Sequence, residues 1–328
     1  MTVNDRTRRV LGRSAIETSP MGLGCWAIGG TWTLNGRPAG FTGIDDAESI
    51  RAIHAALDRG ITFFDTAANY GTGHSERILG QALAGRRQQV VIATKFGFVV
   101  DEAGKRVSRF KKDGEVIKDA RLSCEASLRR LGTDYIDLFQ LHVWDYPAGP
   151  AVEVRQALEE LVREGKIRAY GWSTDSPELA RVFAEGEHCA AVQHDLNIVM
   201  DTPEMLALCE QQDLASVNRS PLARGALTGK YSQSTVFAEN DVRRDGWSMG
   251  HFFTPTLEKL EALRGILTSG GRTLAQGALA WILARSPRTV PIPGFRSARQ
   301  VEENAGAIQL GPLTPEQMSQ IEVLVGRA

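Results

Sequence analysis

The chain has 328 residues, a net charge of −1 and an apolar content of 42%, enough for a large buried core. Neither half carries a basic excess, which argues against a nucleic-acid or anionic-membrane surface. Residues 1–10 are polar, no apolar run approaches the roughly 20 residues of a membrane helix, and Cys25, Cys124, Cys189 and Cys209 form no CxxC pair, so a cytoplasmic protein with reduced thiols is expected.

In chain order, Arg8–Thr18, with Gly12 near its middle, reads as a short N-terminal β-hairpin. Strand-like runs follow at Met21–Trp26, Ile61–Asp65, Val90–Lys95, Ile136–His142, Ile167–Ser173, Ala190–His194, Ala215–Ser220 and Thr289–Ile292. Helical patterns separate them at Asp45–Arg59, Ser75–Leu83, Lys118–Leu131, Val152–Glu164, Pro177–Glu185, Pro203–Gln212 and Leu274–Arg285. Ser176-Pro177 and Thr202-Pro203, each followed by an acidic residue, are helix starts. Eight strands alternating with helices fit either a closed barrel or a doubly wound sheet. Polar residues close several separate strands: Asp65, Lys95, His142, Ser173, Gln193 and Ser220. In a barrel all those ends meet on one face, whereas a doubly wound sheet concentrates its site at one switch point. The expectation is an α/β fold, a (β/α)₈ TIM barrel forming a single domain over residues 1–328. Three stretches exceed a plain connection, residues 30–43, 97–115 and 221–255, and would shape a pocket or lid on the catalytic face.

Gly22, Gly24 and Ala27 satisfy GxGxxA, but Trp26, Gly29, Gly30, Thr31 and Trp32 are poor material for the helix that a dinucleotide fingerprint must open. A glycine-rich strand end passing close to a neighbouring backbone accounts for the match better. His188-Cys189 and His194 have no further ligands near in sequence, so no metal is expected. Phe63-Phe64-Asp65 leads through Thr66-Ala67-Ala68-Asn69 to Tyr70, and the strands ending at Lys95 and His142 follow. Hydride arriving at a carbonyl carbon leaves negative charge on oxygen, so a proton donor and oxyanion stabilisers must converge there. Tyr70 can donate; a nearby Lys95 ammonium would lower its pKa, Asp65 would hold Lys95, and His142 would hydrogen-bond the carbonyl oxygen. Singly, each ionisable residue has a structural explanation as a strand-end cap, a snorkelling lysine or a core histidine. Jointly, at three strand ends beside a tyrosine, they read as a site.

With these residues the chain resembles the aldo-keto reductases, in their prokaryotic-type branch, over nearly its whole length. The resemblance rests on Met21-Gly22-Leu23-Gly24-Cys25-Trp26, the Asp65 to Tyr70 segment, Lys95, His142, Gly171-Trp172-Ser173, Ser220-Pro221-Leu222 with Gly229-Lys230-Tyr231, and Ile292-Pro293-Gly294-Phe295-Arg296. It implies NADPH-dependent reduction of an aldehyde or ketone, with Asp65, Tyr70, Lys95 and His142 catalytic and Tyr70 the general acid. NADPH would lie along Trp26, Ser173, Gln193, Arg219, Ser220, Pro221, Leu222, Gly225, Lys230, Gly294, Arg296, Gln300, Glu303 and Asn304. Ser173 and Gln193 would hold the nicotinamide carboxamide, and Arg219 would stack on its ring. Where relatives carry Asn after that serine, this chain has Thr174. Arg296 would carry most of the adenosine 2′-phosphate contact, since Gly294-Phe295 brings no second charge. Trp32, Trp144 and Trp247 are candidate substrate-pocket walls. The expected partner is a small carbonyl compound. Two alternatives are a redox-sensing auxiliary subunit of an ion channel and a keto-sugar reductase, the latter compatible with Lys105, Arg106, Arg109, Lys111 and Lys112.

Overall fold

The structure, a computed structural model, describes residues 8–244 and 250–327, with the side chains of residues 250–254 excepted. Trp247 and the side chains of Phe252 and Phe253, candidate pocket walls or lid residues, therefore lie outside the described residues. Eight parallel strands run side by side: β1 (Leu23–Gly24), β2 (Phe63–Asp65), β3 (Val91–Phe96), β4 (Ile136–Leu141), β5 (Ile167–Ser173), β6 (Cys189–Asp195), β7 (Ala215–Arg219) and β8 (Thr289–Pro291). Beyond the last strand a parallel bridge from Gly24 to Gly294 brings the edges together. Gly22 and Gly24 donate to the carbonyls of Pro291 and Pro293 at 2.9 and 3.0 Å, closing the barrel. At that seam a Cβ on Gly24 would stand 2.8 Å from the Ile292 carbonyl oxygen. The glycines of the GxGxxA match thus allow two backbones to meet, and no long helix opens there.

Helices α1 (Asp46–Asp58), α2 (His74–Ala82), α3 (Asp113–Leu131), α4 (Ala148–Arg163), α5 (Pro177–Ala184) and α6 (Pro203–Gln211) each follow a strand. After β7 come α7 (Gly250–Leu267) and α8 (Leu274–Arg285), and after β8 come α9 (Ala298–Leu310) and α10 (Pro315–Val325). Their starts are written in side chains. Ser176 accepts from the Leu179 amide, while Thr273 with Gln276 and Thr314 with Gln317 form reciprocal capping boxes. The N-terminal hairpin pairs Arg9–Val10 with Glu17–Thr18. It closes the barrel's lower end, where Leu11 and Ile16 join the interior cluster.

Strand alternation explains the rest. Phe63, Val91, Ala93, Leu138, Ala169, Ala191, Val217 and Val290 fill the barrel, while Phe64, Ile92, Phe139, Trp172 and Val192 pack outward under the helices. Two residues on from the inward apolar positions the same face carries Asp65, Lys95, Gln140, Gln193 and Arg219. Period two therefore delivers the polar residues to one level of one interior, at the strand ends.

Two of the long stretches are not bare loops. Residues 33–38 and 99–108 pair as hairpins and join into a four-stranded sheet. Within it Arg106 pairs with Asp101; further along, Arg109 pairs with Asp145 and lies 4.6 Å over the Trp144 ring. Lys105, Arg106, Arg109, Lys111 and Lys112 are not among the residues that line the central cavity. The third stretch holds a 3₁₀ turn at Ala223–Thr228 and the start of α7.

One close approach ties the barrel wall to the site. The segment carrying Tyr70 turns back at Gly71, whose φ is +59°, against the Gly29 carbonyl; an added Cβ would sit 1.9 Å from that oxygen. Gly71→Ala should therefore cost about 2 kcal/mol through strain and overlap, seen as a lower urea midpoint at unchanged slope. An unshifted midpoint would mean that the turn has slack.

Candidate active site

Lys95 stands on β3 with its side chain wholly buried, opposite Gln140 in the β3–β4 register. An ammonium has three donors, and each is used here: Asp65 Oδ1 at 2.5 Å, the Thr66 carbonyl at 2.8 Å and the Tyr70 hydroxyl at 3.2 Å. The other carboxylate oxygen of Asp65 accepts from Gln193 Nε2 at 2.8 Å and Gln140 Nε2 at 3.2 Å. Burial alone would push Lys95 down, but Asp65 and Tyr70 outweigh it and hold its pKa above the ordinary lysine value.

Tyr70 reaches this cluster from the segment between β2 and α2, pinned by Tyr70 N to the Ala67 carbonyl and Ser75 N to the Tyr70 carbonyl. The ring stacks on Trp26 at 6.1 Å and meets His142 edge-on at 5.7 Å. Because the Tyr70 oxygen accepts from Lys95, its own proton is free to point elsewhere, and Tyr70 lines the cavity. The expected downward pull of Lys95 on its pKa is present but outweighed. Loss of hydration is the larger effect and Asp65 adds to it, so the phenol lies above its ordinary value.

His142, just past β4, has Nδ1 3.0 Å from Asn69 Oδ1 and lies 5.6 Å from the Phe98 ring. Burial first, then Lys95 and Arg219, hold its pKa well below the usual histidine value, so the ring is neutral. Arg219, ending β7, is tied to Asp175 and lies 3.6 Å from Asp195.

These groups border a cavity of about 1400 Å³. Its lining includes Asp65, Tyr70 and His142 and every expected cofactor residue: Trp26, Ser173, Gln193, Arg219, Ser220, Pro221, Leu222, Gly225, Lys230, Gly294, Arg296, Gln300, Glu303 and Asn304. Trp32 and Trp144 line it as well, while Lys95 lies beneath its surface. Thr174 is turned away, its hydroxyl donating to the Trp144 carbonyl at 2.7 Å. At the far end, Arg296 Nη2 donates to the carbonyls of Thr42 and Gly43, the latter at 2.8 Å, and its amide donates to Gln300 Oε1.

Sequence reasoning missed Asn69, Gln140, Asp175, Asp195, Arg224 and Arg299, all but Gln140 on the cavity lining. Gln140 and Asp195 carried a usable signal, lying two residues from His142 and Gln193 on the same strand faces. Arg299 is three residues after Arg296 at the start of α9, a second cation at the end where one was expected.

Comparison with known proteins agrees with this geometry. The Aldo/keto reductase family model matches residues 20–325. An Escherichia coli NADH-specific methylglyoxal reductase is 34% identical over 313 residues, covering 92% of this chain and 93% of its own. The structure of a glycerol dehydrogenase from Gluconobacter oxydans superposes with a TM-score of 0.82 at 33% identity, over 100% of this chain and 96% of that one. An aldo/keto reductase from Klebsiella pneumoniae, solved with NADP and acetate, gives 0.69 at 26% identity, over 98% and 96%. With a barrel of eight parallel strands and a buried lysine joining an aspartate to a tyrosine at its mouth, the chain belongs to the aldo/keto reductase family.

Proposed function

We propose that this protein reduces an aldehyde or ketone to the alcohol with NADPH, Tyr70 supplying the proton. The observation that carries the reading is the Lys95 ammonium, which satisfies Asp65 and the Tyr70 oxygen at once and leaves the tyrosine O–H free at the cavity.

The cofactor fits the residues present. The cavity includes Tyr70, Arg296 and Arg299 in its lining, and the two arginines make it basic where a phosphate would lie. Ser173 offers a hydroxyl on the cavity lining. Gln193 spends its Nε2 on Asp65 and keeps Oε1 to accept from a carboxamide. Thr174 is occupied elsewhere, which leaves the carboxamide to those two. Arg219, clamped by Asp175 and Asp195, presents a fixed guanidinium for ring stacking. NADPH, when bound, supplies the hydride. As the carbonyl carbon gains it, the oxygen takes the Tyr70 proton, and Lys95 stabilises the phenolate left behind. Asp65 keeps Lys95 charged and aimed, and Trp26, Trp32 and Trp144 exclude water around the reacting carbon.

Tyr70→Phe should leave fold and cofactor affinity intact while slowing reduction roughly 10²–10⁴-fold. In the parent enzyme, single-turnover reduction should stay level from the ordinary histidine value of 6.5 to the ordinary tyrosine value of 10.0. The sign follows from the shifts: His142 protonates only well below that window, and Tyr70 loses its proton only above it. A limb inside the window, or a variant keeping most of its single-turnover rate, would remove Tyr70 from the acid role.

The family contains NADH-specific members, so cofactor choice rests on this chain's own residues. Arg296 spends only Nη2 on Thr42 and Gly43, keeping Nε and Nη1 for a phosphate. Titration should show NADPH binding tighter than NADH. Arg296→Ala should weaken NADPH by roughly ten- to a hundredfold, the worth of a charge-assisted contact, with little change for NADH. An unchanged ratio would clear Arg296 of that role.

A further inference from the structure

A carboxylate taken out of water costs free energy unless hydrogen bonds to its charged form offset the lost hydration. Asp119, in the second turn of α3, is such a group, and the carbonyl chemistry above makes no use of it. Its Oδ1 accepts from the Ser123 hydroxyl at 2.8 Å and its Oδ2 from the Gly97 amide at 3.1 Å. The charge that bears on it is Arg130, further along α3 and itself paired with Glu76 of α2 and with Glu102 of the outer hairpin. Glu115, one turn earlier, is exposed and accepts from the Lys112 amide. Burial outweighs the two hydrogen bonds and Arg130, and pushes the Asp119 carboxyl up to about 6. It therefore changes charge close to neutral pH.

The place of Gly97 in the fold gives this carboxylate its leverage. β3 ends at Phe96, whose carbonyl accepts from the His142 amide at 2.9 Å, and the chain enters the outer four-stranded sheet at Val99. Gly97 and Phe98 are the joint between barrel and sheet. At φ +110° Gly97 turns the chain where an added Cβ would stand 3.0 Å from the Leu141 and Val143 side chains. Phe98 then lies in the cavity wall, 5% exposed, edge-on to His142 at 5.6 Å and 6.4 Å from the Trp144 ring. A ring beside His142 borders the groups that flank a bound carbonyl, whereas Lys95 and Tyr70 are held by their own network. We propose that Asp119 is a positioning residue: as a carboxylate it clamps the Gly97 amide, sets the Phe98 wall and tightens substrate binding, and on protonation it loosens that wall without touching the chemical step.

The substrate half rests on the reductase reading; the clamp does not. Phe96-Gly97 is the only Phe-Gly pair in the chain. Protein carrying ¹³C′-phenylalanine and ¹⁵N-glycine therefore gives one carbonyl-coupled amide resonance, that of Gly97. It should move with an apparent pKa of about 6 in the parent and stay fixed in Asp119→Asn, whose amide oxygen accepts without charge. A Gly97 resonance that is constant from a unit below that value to a unit above it, or that moves equally in the variant, overturns the proposal. The parent measurement stands even if a variant does not fold. Kinetics read the consequence, with butyraldehyde and benzaldehyde as probes and cofactor saturating. As pH falls through that value the parent's KM should rise about fivefold, the gap between a charge-assisted and a neutral hydrogen bond. The single-turnover rate at saturating aldehyde should stay level over the same interval. Asp119→Asn should hold the higher KM at every pH, and in a Phe98→Ala background it should change KM no further. A parent KM that ignores pH, or a loss in Asp119→Asn that falls on the single-turnover rate, overturns the positioning role. Protein that reduces no carbonyl yet shows the Gly97 titration would sink the reductase reading and leave the clamp standing.

Discussion

A fully buried lysine ammonium is the constraint on which the rest of the site depends. Left unpaired it would be strongly destabilising, and even a good partner repays the lost hydration only if every remaining donor and acceptor is met. Here the requirement is met in full on the lysine side, by a carboxylate, a backbone carbonyl and a phenol oxygen. Asp65 makes the same demand, and Gln140 and Gln193 answer it from two further strands. The network spans β2, β3, β4 and β6 and reaches the Tyr70 segment, so it can form only when the barrel is closed. On this account the reactive tyrosine proton is a by-product of electrostatic housekeeping. Tyr70 lines the cavity while its oxygen accepts from Lys95.

Much of this was legible in the sequence. β5 at Ile167–Ser173 and α8 at Leu274–Arg285 have the boundaries that their patterns suggest, because a strand carrying Ile167, Tyr170 and Trp172 and a helix bracketed by Thr273 and Ser286 carry their own punctuation. Barrel topology was legible for a different reason: period two on separate strands puts polar ends on one face only if the sheet closes. β1 was the poorer case. The strand spans Leu23–Gly24 alone, since Gly22 and Gly24 spend their backbone on the closing seam.

Depth was not legible. A sequence shows that Lys95 can lower the Tyr70 pKa, but not how much water the phenol loses, and that loss decides the sign. Nor does periodicity trace irregular chain, so Asn69 and Asp175 had no pattern to announce them, although both border the cavity. The basic run at 105–112 illustrates the converse. In the sequence it is compatible with a keto-sugar substrate, and its arginines serve Asp101, Asp145 and the Trp144 face.

If Lys95 works through Tyr70 and not beside it, their losses cannot add. The direct test is a double-mutant cycle on the single-turnover rate of carbonyl reduction, using Tyr70→Phe, Lys95→Met and the two combined, with cofactor binding checked in each. The account predicts that the combined variant is no slower than the slower single one, because a lysine that stabilises a phenolate has nothing to act on once the hydroxyl is gone. Losses that multiply would show two independent contributions and contradict the linked Asp65–Lys95–Tyr70 site.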